Sequence, residues 1–252
     1  DVYKRQPHLT TDEEIGIDYR GFVSFHFDVT DFNIQNHRFT LFGSKLKELS
    51  NEKTLKYFFN YYYEVVLIDG SPASDLFSQT HAVVPGFSYN WSDKTATEVY
   101  YELKYDNFED ADERDAIYNE LAVNQIFRLN QGNLLIIPGA SLVLNFADDI
   151  DGTRNFDYYS PQLQLVALAL LDHGFTFYSK LRYSRDDYYN DDFDRVDNHF
   201  SLRFVLSKKL YRRLTMDLGY QFEYNDSNSD FPGTEPFEYD RNIFTTSFTY
   251  RY

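Results

Sequence analysis

The chain has 252 residues, a net charge of −16 at pH 7, no cysteine, and an aromatic content of 19%. The acidic balance argues against a nucleic-acid partner, since such partners need a basic surface. The absence of cysteine excludes a disulfide scaffold and thiolate metal sites. No apolar run approaches the roughly 18 residues that a membrane-spanning helix needs. The length suits one large domain.

The first residues differ in character from the rest of the chain. Residues 1–6, Asp-Val-Tyr-Lys-Arg-Gln, contain neither a start Met nor the apolar core of a signal peptide. We therefore expect a truncated N-terminus in which residues 1–14 are non-native or linker sequence. Residues 15–252 are expected to form the folded domain.

Alternating apolar and polar residues begin at Ile15 and recur along the chain, which predicts about twelve β-strands. Most segments are close to the 9–11 residues with which a tilted strand crosses a bilayer. The pattern is clearest over residues 15–29, 57–67, 83–91, 99–105, 200–206, 214–224 and 239–252. It is weaker over residues 38–46, a short segment, and over residues 134–146, which are apolar on both faces. The latter run also fits a core strand of a soluble sandwich or a plugged lumen.

In the last strand the two faces differ in chemistry. Phe244, Phe248 and Tyr252 share one face, whereas the other carries hydroxyl groups between Arg241 and Arg251. A strand with lipid on one side and a watery lumen on the other has such faces. Outer-membrane barrels also commonly end on an aromatic residue, so this strand favours a transmembrane barrel.

The links between the predicted strands alternate in length. Short links with hairpin turn chemistry occur at residues 92–94, 130–133, 172–174 and 207–209. Long polar links occur at residues 106–116, 147–157, 186–195 and 226–238. Outer-membrane barrels have this arrangement, with the short turns in the periplasm. We predict an all-β fold, an antiparallel up-and-down transmembrane β-barrel of about 12 strands in the outer membrane. A soluble, sugar-binding β-sandwich is the alternative.

Acidic residues are concentrated in the long links. The simpler interpretation is that these links are solvated, while the alternative is binding of divalent cations near lipopolysaccharide, because carboxylates suit hard cations. Residues 149–152 only partly follow the pattern of a calcium loop. No metal site and no cofactor is assigned.

Charged side chains with inward parity are the candidate pore-lining residues. They are Arg20, His26, Glu98, Glu102, Lys104, Glu120, Lys180, Arg182, His199, Arg203, Arg213, Asp217, Glu223 and Arg251. We expect the arginines of the final four strands to form a basic stripe, and the glutamates of the fifth and sixth strands to form an acidic patch. Opposed stripes would create a transverse field across a narrow pore. Alternatively, the two sets pair with each other and close the lumen.

Catalytic signatures are weak in this sequence. No Gly-x-Ser-x-Gly elbow is present, and neither His26 nor His199 lies in a recognisable nucleophile motif. We therefore predict no enzymatic activity and no catalytic residue. An envelope hydrolase is the alternative, since paired lumen carboxylates can act as general acid and base.

Residues 220–230 and 237–242, together with the terminal strand, resemble the C-terminal hairpin of Gram-negative outer-membrane β-barrel proteins. The resemblance is to β-barrel porins and to the C-terminal barrels of tetratricopeptide-repeat-linked export proteins. It implies the barrel fold and the outer membrane. Because a lumen of about twelve strands would carry long charged side chains, we expect a narrow conduit for transport or export of polar solutes or polymer, or else a plugged barrel that anchors a periplasmic partner or repeat domain. The partners it implies are outer-membrane lipid and lipopolysaccharide, the barrel assembly machinery acting through the C-terminal strand, and a periplasmic repeat domain upstream.

Overall fold

The computed structural model describes residues 12–24, 33–50, 53–70, 73–109, 115–147, 157–188, 195–228 and 238–250. Apart from two short 3-10 turns, at Asn130–Gly132 and Asp172–Gly174, the regular structure in these ranges is β-strand. Within them, no helix has the length and apolar character needed to cross a membrane.

Twelve strands follow one another along the chain. They are β1 (Glu13–Ser24), β2 (Asn33–Ser50), β3 (Lys53–Gly70), β4 (Ala73–Asn90), β5 (Thr95–Phe108), β6 (Ala116–Leu129), β7 (Leu134–Ala147), β8 (Tyr158–Leu171), β9 (Phe175–Tyr188), β10 (Val196–Tyr211), β11 (Leu214–Ser227) and β12 (Tyr239–Tyr250).

The strands form one sheet in which each strand pairs antiparallel with the next, in the order β1 to β12. This is the up-and-down topology that the alternating links predicted. Strands β2 to β11 each have two neighbours, while β1 and β12 each have one among the described residues. Strands β2, β3 and β4 are 18 residues long, and therefore longer than the others.

The two faces of the sheet differ in the way that strand alternation predicts. One face exposes large apolar side chains such as Ile17 and Leu163, each 61% exposed. The other face buries small ones, including Ala122 and the fully buried Val143. A soluble sandwich would cover so extensive an apolar surface, and its exposure therefore favours contact with lipid.

Three of the four predicted short links lie where the sequence placed them, and the fourth prediction was wrong. Residues 207–209 belong to β10, which continues to Tyr211. The turn consists of residues 212–213, where pairing between β10 and β11 ends at Tyr211 and Leu214. Lys208 lies in the strand because it pairs with Phe175 of β9 and with Met216 of β11. Its ammonium group also packs 3.9 Å from the ring centroid of Phe175 and bonds the His173 carbonyl oxygen.

The segments with weak patterns are full strands. Residues 38–46 lie within β2, and residues 134–146 coincide with β7. The inner face of β7 carries Ser141 and Asn145 beside Val143, so small and polar side chains occupy what looked like an apolar face. The first strand begins at Glu13, two residues before the predicted start of the domain, and residues 25–29 lie outside the described ranges.

The exposed apolar face provides a first test. Leu218 is exposed on the outer face of β11, while Thr215 has the opposite parity in the same strand. An arginine on the lipid face near the bilayer midplane costs about 2–4 kcal/mol. We expect Leu218→Arg to reduce the yield of folding into lipid vesicles strongly, and Thr215→Arg to reduce it little. Equal losses for the two variants would show that the faces are assigned incorrectly.

The sidedness of the links provides a second test. The turns at residues 130–133, 172–174 and 212–213 share one rim, and the strand ends that flank 109–115, 148–157, 189–195 and 228–238 share the other. We expect an epitope tag in 189–195 to bind antibody on intact cells, and a tag in 212–213 to bind only after permeabilisation. The reverse labelling would invert the orientation.

Candidate functional site on the concave face

Three cavities lie on the face of the sheet that carries most of the polar side chains. One, of about 330 Å³, is lined by strands as far apart as β6 and β12, including Tyr118, Arg182 and Arg241. A second, of about 160 Å³, spans β5 to β9 and shares Tyr118 and Arg182 with the first. A third, of about 450 Å³, lies over β1 to β4. Such distant strands line one cavity because the sheet curves around this face, which we call the concave face.

The period of the strands determines which side chains reach the concave face. In β5, Glu98, Glu102 and Lys104 share this face, while Tyr101 and Leu103 are exposed on the outer face. The pairing register then decides which charges become neighbours. It places Glu102 opposite Glu120 of β6. Two carboxylates therefore occupy adjacent positions.

The same register produces a basic pair on the other side of the concave face. Lys180 of β9 lies opposite Arg203 of β10, and Arg182 lies opposite Ser201. The register therefore brings two carboxylates together on β5 and β6 and two cations together on β9 and β10.

Other charges of the concave face are paired in the strand halves nearer the long links. We call this set of contacts the collar. It comprises five ion pairs, Arg20–Asp18 (2.8 Å), Arg38–Glu64, Lys104–Asp106 (2.6 Å), Arg195–Asp197 and Arg241–Glu223, together with the contact between His199 Nε2 and Asp186 Oδ2 (3.0 Å). Asp197 is only 1% exposed, so its charge depends on Arg195, because an unpaired buried carboxylate is costly.

The acidic residues nearer the middle of the sheet are not paired with a cation. Glu98, Glu102 and Glu120, which we call the acidic wall, take part in no ion pair among the described residues. Glu102 accepts a hydrogen bond from the Tyr62 hydroxyl at 2.5 Å, and Glu120 accepts one from the Tyr118 hydroxyl at 3.1 Å. These bonds orient two of the carboxylates without neutralising their charge.

The basic residues opposite the acidic wall also form no ion pair with a carboxylate among the described residues. Lys180, Arg182 and Arg203, which we call the basic wall, form no ion pair within the part of the chain that the structure describes. Arg182 Nη2 donates to Gln162 Oε1 at 2.7 Å. Since a guanidinium carries five N–H donors, this bond leaves Arg182 able to bind a further group.

Tyrosines on the concave face were missed by the sequence reasoning, which assigned the aromatic residues to lipid. Tyr62, Tyr100, Tyr118 and Tyr158 line the cavities. The Lys104 ammonium group lies 4.7 Å from the ring centroid of Tyr118. Strand alternation alone could have predicted their position, because Tyr100 lies two residues from both Glu98 and Glu102 and therefore shares their face of β5.

The remaining candidate residues fall in several environments. Asp217 accepts a hydrogen bond from Ser247 Oγ at 3.2 Å. Arg213 lies in the turn before β11, so its predicted place on the strand was wrong, because β10 extends further than expected. His26 and Arg251 lie outside the described residues. The described residues contain no group of three or more His, Asp or Glu that would hold a metal ion.

Comparisons with known proteins bear on the fold. No family model and no curated protein matches the sequence. A solved outer-membrane channel from Pseudomonas putida F1 is similar in structure, with a TM-score of 0.53 and 12% identity over 96% of both chains. The β domain of the Bordetella autotransporter BrkA is less similar, with a TM-score of 0.41 and 10% identity over 94% of this chain and 96% of its own.

The structural similarity of this chain to the channel agrees with its twelve antiparallel strands and its exposed apolar face. In such a fold we expect β1 to meet β12, because an unpaired strand edge cannot be satisfied in hydrocarbon. The chain has the fold of an outer-membrane β-barrel of 12 antiparallel strands, and it is therefore a protein of the outer membrane.

Proposed function

We propose that this barrel is a narrow conduit for polar solutes, and that its lumen runs between the acidic wall and the basic wall. The observation that carries the proposal is the absence of an ion pair between these walls among the described residues. A plugged barrel that serves only as an anchor would gain by pairing them.

Unpaired charges on the concave face favour a hydrated lumen. Transferring a charge out of water costs several kcal/mol, even after the protein relaxes. The walls hold six such side chains, counting three in each, and none has an opposite charge in contact in the described structure. Water and counter-ions in a continuous lumen supply the missing solvation.

The size of the barrel supports a conduit that selects among small solutes. A barrel of 12 strands is wider than one of eight, whose interior is filled by side chains, and narrower than the 16-stranded porins. Walls of charge determine ion and solute preference in such pores. The geometry therefore supports transport of small polar solutes better than passage of a bulky polymer.

Conductance of the refolded protein in planar bilayers tests the proposal. We expect an open channel in which Glu102→Gln shifts the reversal potential in a salt gradient toward anion preference, because it removes a negative charge from the lumen. Arg203→Gln should shift it toward cation preference. Lys45→Gln is the control, since Lys45 pairs with Glu13 (2.8 Å) at positions with outward parity; it should leave the potential unchanged.

Two results would contradict the conduit. If no current passes until wall residues are removed, the barrel is a plugged anchor. If a channel opens but neither Glu102→Gln nor Arg203→Gln alters its selectivity, then these residues do not line it.

A further inference from the structure

The cavity of about 160 Å³ lies where the two walls approach each other. Glu120 of the acidic wall lines it on one side, and Lys180 and Arg182 of the basic wall line it on the other. Tyr100 and Gln164 also line it. These residues come from the interior of β5, β6, β8 and β9, away from both rims.

Opposite charges share this cavity without neutralising each other directly. Lys180 lines the cavity together with Glu120 and Arg182, and it lies opposite Arg203 in the pairing register. Tyr100 lines the same cavity as Glu120 and Arg182. The cavity therefore offers a hydrogen-bond acceptor with negative charge at one side and donors with positive charge at the other.

Only a ligand with both charges satisfies both sides. A simple cation at Glu120 is repelled by Lys180 and Arg182, and a simple anion bound by Lys180 and Arg182 leaves Glu120 without a partner. A zwitterion can place its ammonium group on Glu120 and its carboxylate on Arg182, whose planar guanidinium suits bidentate contact with a carboxylate. We infer that this cavity is a binding subsite for small zwitterions of the amino-acid type, an inference that rests on the proposed conduit and specifies its substrate class.

Neighbouring side chains hold the subsite in place before a ligand arrives. The Tyr118 hydroxyl fixes one oxygen of Glu120, and Gln162 fixes one nitrogen of Arg182. Gln164 is fixed in turn by donating Nε2–H to Asn124 Oδ1 at 2.9 Å. Each charged group keeps further hydrogen-bonding capacity, so the ligand meets side chains that are already oriented.

The subsite also determines the orientation in which a solute passes. Its ammonium group faces β6 and its carboxylate faces β9, because Glu120 and Arg182 lie on those strands. Binding in a conduit must be weak enough to permit release. A cavity of about 160 Å³ restricts the class to small solutes.

Binding to the refolded full chain in detergent micelles tests the subsite without requiring a current. Glycine, β-alanine and γ-aminobutyrate are titrated at low salt, with saturation-transfer NMR as the readout. Each is compared with its two single-charge analogues, which for β-alanine are propionate and propylamine. We expect at least one zwitterion to bind about tenfold more tightly than both of its analogues.

Substitutions in the two walls provide the matched variants. Glu120→Gln and Arg182→Gln each remove one charged partner and keep polar side chains in the cavity. Since a hydrogen bond to a charged group contributes about 1.5–3 kcal/mol, each should weaken zwitterion binding about tenfold to a hundredfold. Lys45→Gln should leave binding unchanged. Equal binding of zwitterions and their analogues, or no effect of either wall variant, would overturn the subsite.

Conductance measured on the same preparation separates the two proposals. Zwitterion binding by a barrel that passes no current would keep the subsite and reject the conduit. An open channel without preference for zwitterions would keep the conduit and reject the subsite.

Discussion

The structure depends on one constraint: in hydrocarbon, a backbone N–H or C=O group of a β-strand finds its partner only in the neighbouring strand. The antiparallel sheet from β1 to β12 meets this constraint, and its strand period then assigns every side chain to one face. In β5 a slip of one residue would bring Glu102 to the lipid side and Leu103 to the lumen. The lumen chemistry is therefore fixed by the same register that satisfies the backbone.

That register has a cost on the concave face. Like charges directly opposite each other on neighbouring strands destabilise a sheet. The fold places Glu102 opposite Glu120 and Lys180 opposite Arg203 in the walls, and it places Arg20 opposite Arg38 and Asp197 opposite Asp186 in the collar. In the collar, Arg20 and Arg38 nevertheless bond Asp18 and Glu64, whereas the opposite charges of the walls stay separate, with no ion pair among the described residues. A sequence under pressure for stability alone would pair both, and the separation points to a role for the walls in what the lumen accepts.

How far the sequence predicts this structure differs between features. Alternation is local, so strand number and facing could be predicted, including the outward position of Leu218. The end of β10 could not be predicted, because the turn lies where pairing between β10 and β11 stops. The position at which pairing stops depends on the partner strand. The partners in the ion pairs could not be predicted from the sequence either. Lys104 bonds Asp106 on its own strand, although Glu102 is an equally close neighbour in sequence.

The inward tyrosines explain how the collar and the acidic wall remain separate although they are adjacent. Tyr118 presents its ring to the Lys104 ammonium group and its hydroxyl to Glu120. The ring centroid of Tyr62 likewise lies 4.5 Å from the Arg38 guanidinium group, and the Tyr62 hydroxyl donates a hydrogen bond to Glu102. Each ring contacts a cation that is already paired in the collar, Lys104 with Asp106 and Arg38 with Glu64. Each hydroxyl orients that carboxylate without cancelling its charge. The tyrosines thereby preserve the charge separation on which the proposed selectivity depends.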